Sequence, residues 1–363
     1  MPTNTIPEKT DTEPLLPETL ARPEQSDVET QTATMHDNLV LAELGLPEDF
    51  LPYIRKITSS PRTRIQVSPD QAEAVSITDH TLLGNKVTTA GLVDLCWESM
   101  IVDPIASSVC VQGEGNARQA KALLWAYARL LKTPTIPRVC AVGERHFPKT
   151  TLTPITESGV VIEDQLPGTA PLEAKLQDAS EAIKYANIFD MVLDTKMLLE
   201  GDIDGCTNEV KKIRAELDKK DPTIELRVIC STGMLREIGG LTNFGGNPDK
   251  FVEMACKVIN NAAEGRGKRS ITMKTETGFI AKPNDPKGGK FGATMKDATL
   301  MSRTLSPHVG IKLSGGVSLN NAQEIMKAAK TYAPTRTLYI GASGLIGGFG
   351  KALLQRQQDQ GAY

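Results

Sequence analysis

The chain has 363 residues, 40% of them hydrophobic and 23% charged, and a formal net charge of -3. That supports a sizeable core, which one α/β barrel of this length can hold as naturally as two domains. The near-balanced charge argues against a nucleic-acid footprint, and the lack of any run of about 18 apolar residues argues against a membrane span.

Residues 1–38 carry eight acidic and two basic side chains and are rich in Pro, Thr, Glu and Gln, so they read as a disordered acidic tail. No apolar stretch behind basic residues marks a secretory leader, and a cytoplasmic location is expected. Residues 39–73 read as a helical lead-in, with Leu41, Leu44, Leu46 and Phe50 able to pack. From residue 74 to 363 the pattern alternates strand and helix, with strand-like runs near 75–79, 107–112, 137–142, 188–194, 224–230, 270–275, 309–313 and 336–341. Helical spacing follows in between. Asn116 is a candidate cap for the run with Ala120, Leu123 and Tyr127, Pro171 opens another, Thr207 precedes Val210 and Ile213, and Ser318 precedes Leu319 and Ile325. Eight strand–helix units favour a parallel sheet closed into a TIM barrel over an open doubly wound sheet. No G-x-G-x-x-G follows the first strand, which weakens a dinucleotide-binding reading. Cys96, Cys110, Cys140, Cys206, Cys230 and Cys256 form no CxxC pair and read as buried reduced thiols, so no metal is expected.

Lys274 and Lys312 end the sixth and seventh runs, which are neighbours in a barrel. Two buried ammonium groups side by side are costly, so one amine is expected to become neutral and nucleophilic. A salt-bridged lysine beside a solvent-facing one is the structural alternative. Glycines follow both, in Thr275-Glu276-Thr277-Gly278 and Ser314-Gly315-Gly316, and Gly341-Ala342-Ser343-Gly344 ends the eighth run. Backbone amides exposed by glycine after strands seven and eight suit a phosphate. Asp190, set among Phe189, Met191 and Val192, should face the interior or a cation, and Asp79 at the end of the first run is placed similarly. His80 reads as a satisfied strand-end histidine.

Together Asp79-His80-Thr81-Leu82-Leu83, Val109-Cys110-Val111, Phe189-Asp190-Met191-Val192, Lys274-Thr275-Glu276-Thr277-Gly278, Lys312-Leu313-Ser314-Gly315-Gly316-Val317 and Gly341-Ala342-Ser343 resemble deoxyribose-phosphate aldolase, in the family's order, over roughly residues 74–357. The resemblance implies a class I aldolase that needs no cofactor or metal and takes a phosphorylated sugar, with neither nucleic acid nor membrane as partner. It implies that Lys274 forms the Schiff base, that Lys312 depresses the amine pKa of Lys274, and that Asp190 and Lys312 shuttle protons. It implies a phosphate site of Gly278, Gly315, Gly316 and Ser343, with Asp79 and the terminal Tyr363 counted among the substrate-binding residues. Barrels often dimerise, so a homodimer is compatible with this reading.

The departures are Glu276, where the family usually has Ser; Ser231, where it usually has Glu; Gly344, in place of a phosphate-binding Ser; and a longer loop over about 143–170, a lid candidate. A carboxylate at 276 could pair with a lysine or point away from the site. Lys282, Lys287 and Lys290 after strand six read as a solvated charge run or a phosphate contact. The departures keep two alternatives open, a Schiff-base aldolase of another phosphorylated sugar and a non-catalytic sugar-phosphate-binding barrel.

Overall fold

Eight short parallel strands, most of them apolar on the face turned toward the helices, close into a ring. The computed structural model describes residues 46–58, 64–84, 87–143, 166–241, 247–268, 270–278, 280, 282, 289–318 and 320–347. The acidic tail, residues 144–165 of the 143–170 loop, Lys287 and Tyr363 lie outside the described residues.

The barrel strands are β1 (Thr78–Leu82), β2 (Ser108–Gln112), β3 (Arg138–Val142), β4 (Ile188–Val192), β5 (Glu225–Ile229), β6 (Ile271–Lys274), β7 (Gly310–Ser314) and β8 (Leu338–Ala342). Each pairs in parallel with the next, and β8 pairs with β1 to close the ring. The expected TIM barrel is therefore the observed fold. The first strand differs from the expected run. Residues 69–76 form a helix, and β1 starts at Thr78. Ala74 and Val75 are buried, but on a helix that leads into the barrel. Ahead of it, Ile65–Gln66 pairs with Val102–Asp103 in a separate two-stranded parallel sheet.

Strand side chains alternate between the two faces of the ring. Val109, Val111, Val139, Ala141, Phe189, Met191, Leu226, Val228, Ile311 and Leu313 join the main core with the helices. Cys110, Cys140, Val142, Ile188, Val192 and Ile229 form a separate small cluster of opposite strand parity, inside the ring. Many of the remaining inward positions are charged (Asp79, Asp190, Glu225, Arg227, Lys274 and Lys312), which is unusual for an interior that barrels commonly fill with branched apolar residues.

Local signals place the helices. Thr88 caps the helix Thr89–Ile101 by accepting from the Gly91 amide at 3.1 Å. Thr294 and Asp297 make a reciprocal capping box at the start of Met295–Thr304. Two expected caps are displaced. The helix Gly113–Leu131 starts before Asn116, whose amide instead donates back to the Gln112 carbonyl at 2.8 Å. Thr207 lies inside Ile203–Lys220, which Asp202 caps by accepting from the Gly205 amide at 2.8 Å. All six cysteines are free and buried. No helix among the described residues is long and apolar enough to cross a membrane.

Candidate active site

β6 and β7 pair so that Lys274 and Lys312 are direct partners across the ladder. Partners in register project to the same face, here the interior, and both are almost wholly buried. The two amines meet on one atom. Lys274 Nζ donates to Asp190 Oδ2 at 2.7 Å and Lys312 Nζ donates to the same oxygen at 3.0 Å. The two nitrogens are therefore closer than those distances combined, with a carboxylate oxygen between them. Cys140 Sγ donates to the other oxygen of Asp190 at 3.1 Å, so the carboxylate is held at both ends.

Lys312 has a second counter-ion, Asp79 Oδ2 at 2.8 Å. Asp79 in turn accepts from Ser108 Oγ at 2.6 Å and is ion-paired with Arg227. Arg227 extends the network downward to Glu225 at 3.0 Å, and its guanidinium carbon lies 4.1 Å from the centroid of the Tyr339 ring. Glu225 also takes Thr272 Oγ1 at 2.8 Å, Tyr339 OH at 3.0 Å and Arg138 Nη1 at 3.0 Å. The charged column thus runs from the half-exposed Arg138 up the axis to Lys274. A Cβ at Gly341 would lie 3.2 Å from Lys312 Cε, so that glycine leaves room for the lysine stem.

These contacts set the proton inventory. Burial alone would pull the Lys312 ammonium down, but Asp190 and Asp79 outweigh it and hold its pKa well above the ordinary lysine value. Burial also opposes ionisation of Asp190, and Lys274, Lys312 and Arg227 reverse that, holding its carboxyl below the usual range. Asp79 is held low in the same way, against burial, by Arg227 and Lys312. Lys312 therefore has two carboxylates to itself or shared, and Lys274 shares one. The buried interior thus holds Lys312 and Arg227 as cations, Asp190, Asp79 and Glu225 as anions, and Lys274, whose one ion-pair partner among the described residues, Asp190, is shared with Lys312.

Cys110, Cys140 and Asp190 are the one group among the described residues whose His, Cys, Asp or Glu donor atoms cluster tightly enough for a metal, all within 4.8 Å of one another. Their donors are already engaged by the lysines and each other, with Cys110 Sγ 3.4 Å from Cys140 Sγ. A cation entering there would have to displace the two lysine amines from Asp190.

At the mouth of the ring, Gly278, Gly315 and Gly316 all have positive φ, at 75°, 86° and 68°. A Cβ on Gly278 would lie 3.7 Å from Gly315 Cα, which brings the two loops together. Ser343 follows β8 immediately and is exposed, and Gly341 is the register partner of Ser314. The structure gathers the glycines with Ser343 at the strand ends above the lysines. Asp79 it places elsewhere. It is a fully buried carboxylate on β1 whose oxygens serve Lys312, Arg227 and Ser108. His80 is paired on the outer side of the strand with Glu98, Nε2 to Oε2 at 2.7 Å. Lys282 and Lys290 are exposed.

The alternatives at Glu276 are resolved. Among the described residues it forms no ion pair with a lysine. Its Oε1 accepts from the amides of Gly233 at 2.9 Å and Met234 at 3.4 Å, in the first turn of the helix Thr232–Leu241 that follows Ser231. The departures at 231 and 276 are thus complementary, since the carboxylate absent from the β5 end reaches the same loop from the β6 end. Arg227 and Glu225 were not singled out in the sequence. Their signal was the one used for Asp190, charged side chains alternating with apolar ones inside a short strand run.

No family model matches the chain. The deoxyribose-phosphate aldolase of Brevibacillus brevis is 30% identical over 240 residues, covering 66% of this chain and 80% of that protein. That of Clostridium perfringens is 27% identical over 279 residues, 76% of this chain and 94% of that one. Among solved structures, the deoxyribose phosphate aldolase of Aeropyrum pernix, described as a unique tetramer, superposes with a TM-score of 0.52 at 20% identity, covering 78% of this chain and 92% of that one. At that identity the superposition supports the barrel fold alone.

Proposed function

Because this chain belongs to the deoxyribose-phosphate aldolase family, we propose that it cleaves 2-deoxy-D-ribose 5-phosphate to D-glyceraldehyde 3-phosphate and acetaldehyde through a Schiff base on Lys274. The observation that carries this reading is the single Asp190 oxygen shared by two buried amines at 2.7 and 3.0 Å. A structural ion pair needs one cation per carboxylate. Two amines on one oxygen compete for one counter-charge, and Lys312 also reaches Asp79, which it shares with Arg227, whereas Lys274 reaches Asp190 alone among the described residues.

In this scheme the uncharged Lys274 amine attacks the open-chain aldehyde carbon, and water leaves. The resulting iminium nitrogen stays beside Asp190, whose ionised carboxyl offsets its charge where that charge forms. The iminium is an electron sink, so the C2–C3 bond breaks once the 3-hydroxyl gives up its proton. Asp190 and Lys312, acting through a water, take that proton and return one to the enamine carbon. Lys312 is the donor of this pair, because Asp190 and Asp79 keep it charged. Hydrolysis of the second imine releases acetaldehyde and frees Lys274. Amides at Gly278, Gly315 and Gly316, with Ser343, hold the phosphate. Their positive φ values support that role, because they turn successive N–H groups into a concave anion cradle.

Coupled detection of glyceraldehyde 3-phosphate tests the proposal. Wild-type protein should turn over deoxyribose 5-phosphate and Lys274→Ala should not. Undiminished cleavage by Lys274→Ala would rule the scheme out.

A further inference from the structure

Glu276 is fully buried, two residues past Lys274, at the mouth of the ring. One of its oxygens is satisfied by the Gly233 and Met234 amides. The other, Oε2, has no hydrogen-bond partner among the described residues, and neither does the buried hydroxyl of Thr232 or that of Thr277 beside it in sequence. A buried carboxylate oxygen without a partner is a standing electrostatic burden. Its surroundings do little to relieve it. Lys274, the last residue of β6, gives its ion pair to Asp190. Asp297, from the helix Met295–Thr304, repels it and is itself tied to Arg236 at 2.6 Å. Cys230, at the end of β5, is a thiol that burial keeps protonated. Burial pushes the Glu276 carboxyl up to about 8, against the two amide hydrogen bonds.

The position of this group gives it a function. A Cβ at Gly315 would lie 3.3 Å from Glu276 Cβ, so the side chain packs directly against the glycine whose amide is expected at the phosphate. The carboxyl lies two bonds beyond the Glu276 Cβ, turned to the Gly233 amide, so a charge on it acts on an anion held at the Gly315 loop through buried, low-dielectric surroundings. We propose that Glu276 is a specificity-determining residue, a charge gate that admits a phosphate dianion when its carboxyl is protonated and disfavours it when ionised, while a sugar without phosphate is indifferent to it. The proposal rests on the phosphate site described under Proposed function. Linkage makes the effect reciprocal, since a bound dianion must hold the proton on Glu276.

The test compares wild type with Glu276→Gln, which keeps an acceptor for the two amides. The KM for 2-deoxy-D-ribose 5-phosphate and for unphosphorylated 2-deoxy-D-ribose is measured from pH 7.5 to 9.5, where the phosphate is a dianion throughout. The Kd of inorganic phosphate is measured alongside by calorimetry, which needs no turnover. In wild type the phosphate affinity and the phosphorylated-sugar KM should weaken by about five- to tenfold over that range, with no matching change for the plain sugar, and Glu276→Gln should be flat. The same weakening in Glu276→Gln, or an equal one for the plain sugar, overturns the gate. If Glu276→Gln does not fold, wild type alone decides. Phosphate binding at pH 8.5 should take up roughly half a proton, read from buffers of different ionisation enthalpy, and zero uptake refutes the idea. Turnover with a pH-independent phosphate affinity overturns this proposal alone. Phosphate binding absent at every pH overturns the phosphate site and the gate with it.

Discussion

Replacing Glu276 with Gln should change how the stability of the folded protein depends on pH. In the unfolded chain this carboxyl titrates near 4.5, and in the folded protein burial moves it to about 8. Between those values the folded state keeps a proton that the unfolded state has released, so stability falls as pH rises through the window and the loss is complete above pH 8. At 1.36 kcal/mol per pH unit the full span corresponds to about 5 kcal/mol. Local relaxation reduces this, and about 2–5 kcal/mol is the expected range. Gln does not titrate. Urea denaturation of both proteins at pH 5 and pH 9 should therefore show the stability of Glu276→Gln, relative to wild type, rising by that amount between the two conditions. Any constant penalty from the Gln amide cancels in the comparison, as do the other titrating groups. A difference between the two proteins that is the same at both pH values would refute a carboxyl protonated by burial.

Two other perturbations follow from the same network. Lys312→Ala removes the charged proton donor beside Asp190 and leaves that carboxylate to Lys274 alone; turnover at pH 7 should slow at least about tenfold in the coupled assay, and unchanged turnover would remove Lys312 from the mechanism. Gly315→Ala forces a Cβ to within 2.8 Å of Gly292 Cα at a φ of 86°, so it should raise the KM for the phosphorylated sugar and lower the midpoint of thermal unfolding together, whereas an unchanged KM would remove Gly315 from the phosphate site.

Much of the barrel was legible because each strand is a short apolar run bounded by polar or glycine residues, and seven of the eight fall within two residues of where the sequence puts them. β1 was the exception. Ala74 and Val75 carry the apolar signal of a strand, but Ser68 and Pro69 start a helix that uses those residues to pack against the core. The caps at Asn116 and Thr207 were displaced because both residues suit a helix start by type, while the turns that begin these helices lie further back, at Gln112 and Asp202. At the site, two lysines on adjacent strands could be read as neighbours, since parallel pairing in a ring leaves little choice. That Asp190 faces the interior or a cation could be read as well; that one of its oxygens serves both lysines could not, because sequence order does not say how far across a barrel a side chain reaches. The same limit hid Arg227, which links Asp79 on β1 to Glu225 on its own strand. It also left open which way Glu276 turns, a question settled by the two amides at the start of the neighbouring helix.

The central claim is that the amine at 274 becomes a covalent nucleophile because its partner at 312 keeps the shared charge. Incubation with deoxyribose 5-phosphate or acetaldehyde, reduction with borohydride and peptide mass mapping tests it most directly. The account predicts a reduced-imine mass increment on Lys274, absent from Lys312 and absent in Lys274→Ala. An increment on Lys312, or none on either lysine with any aldehyde, would contradict it.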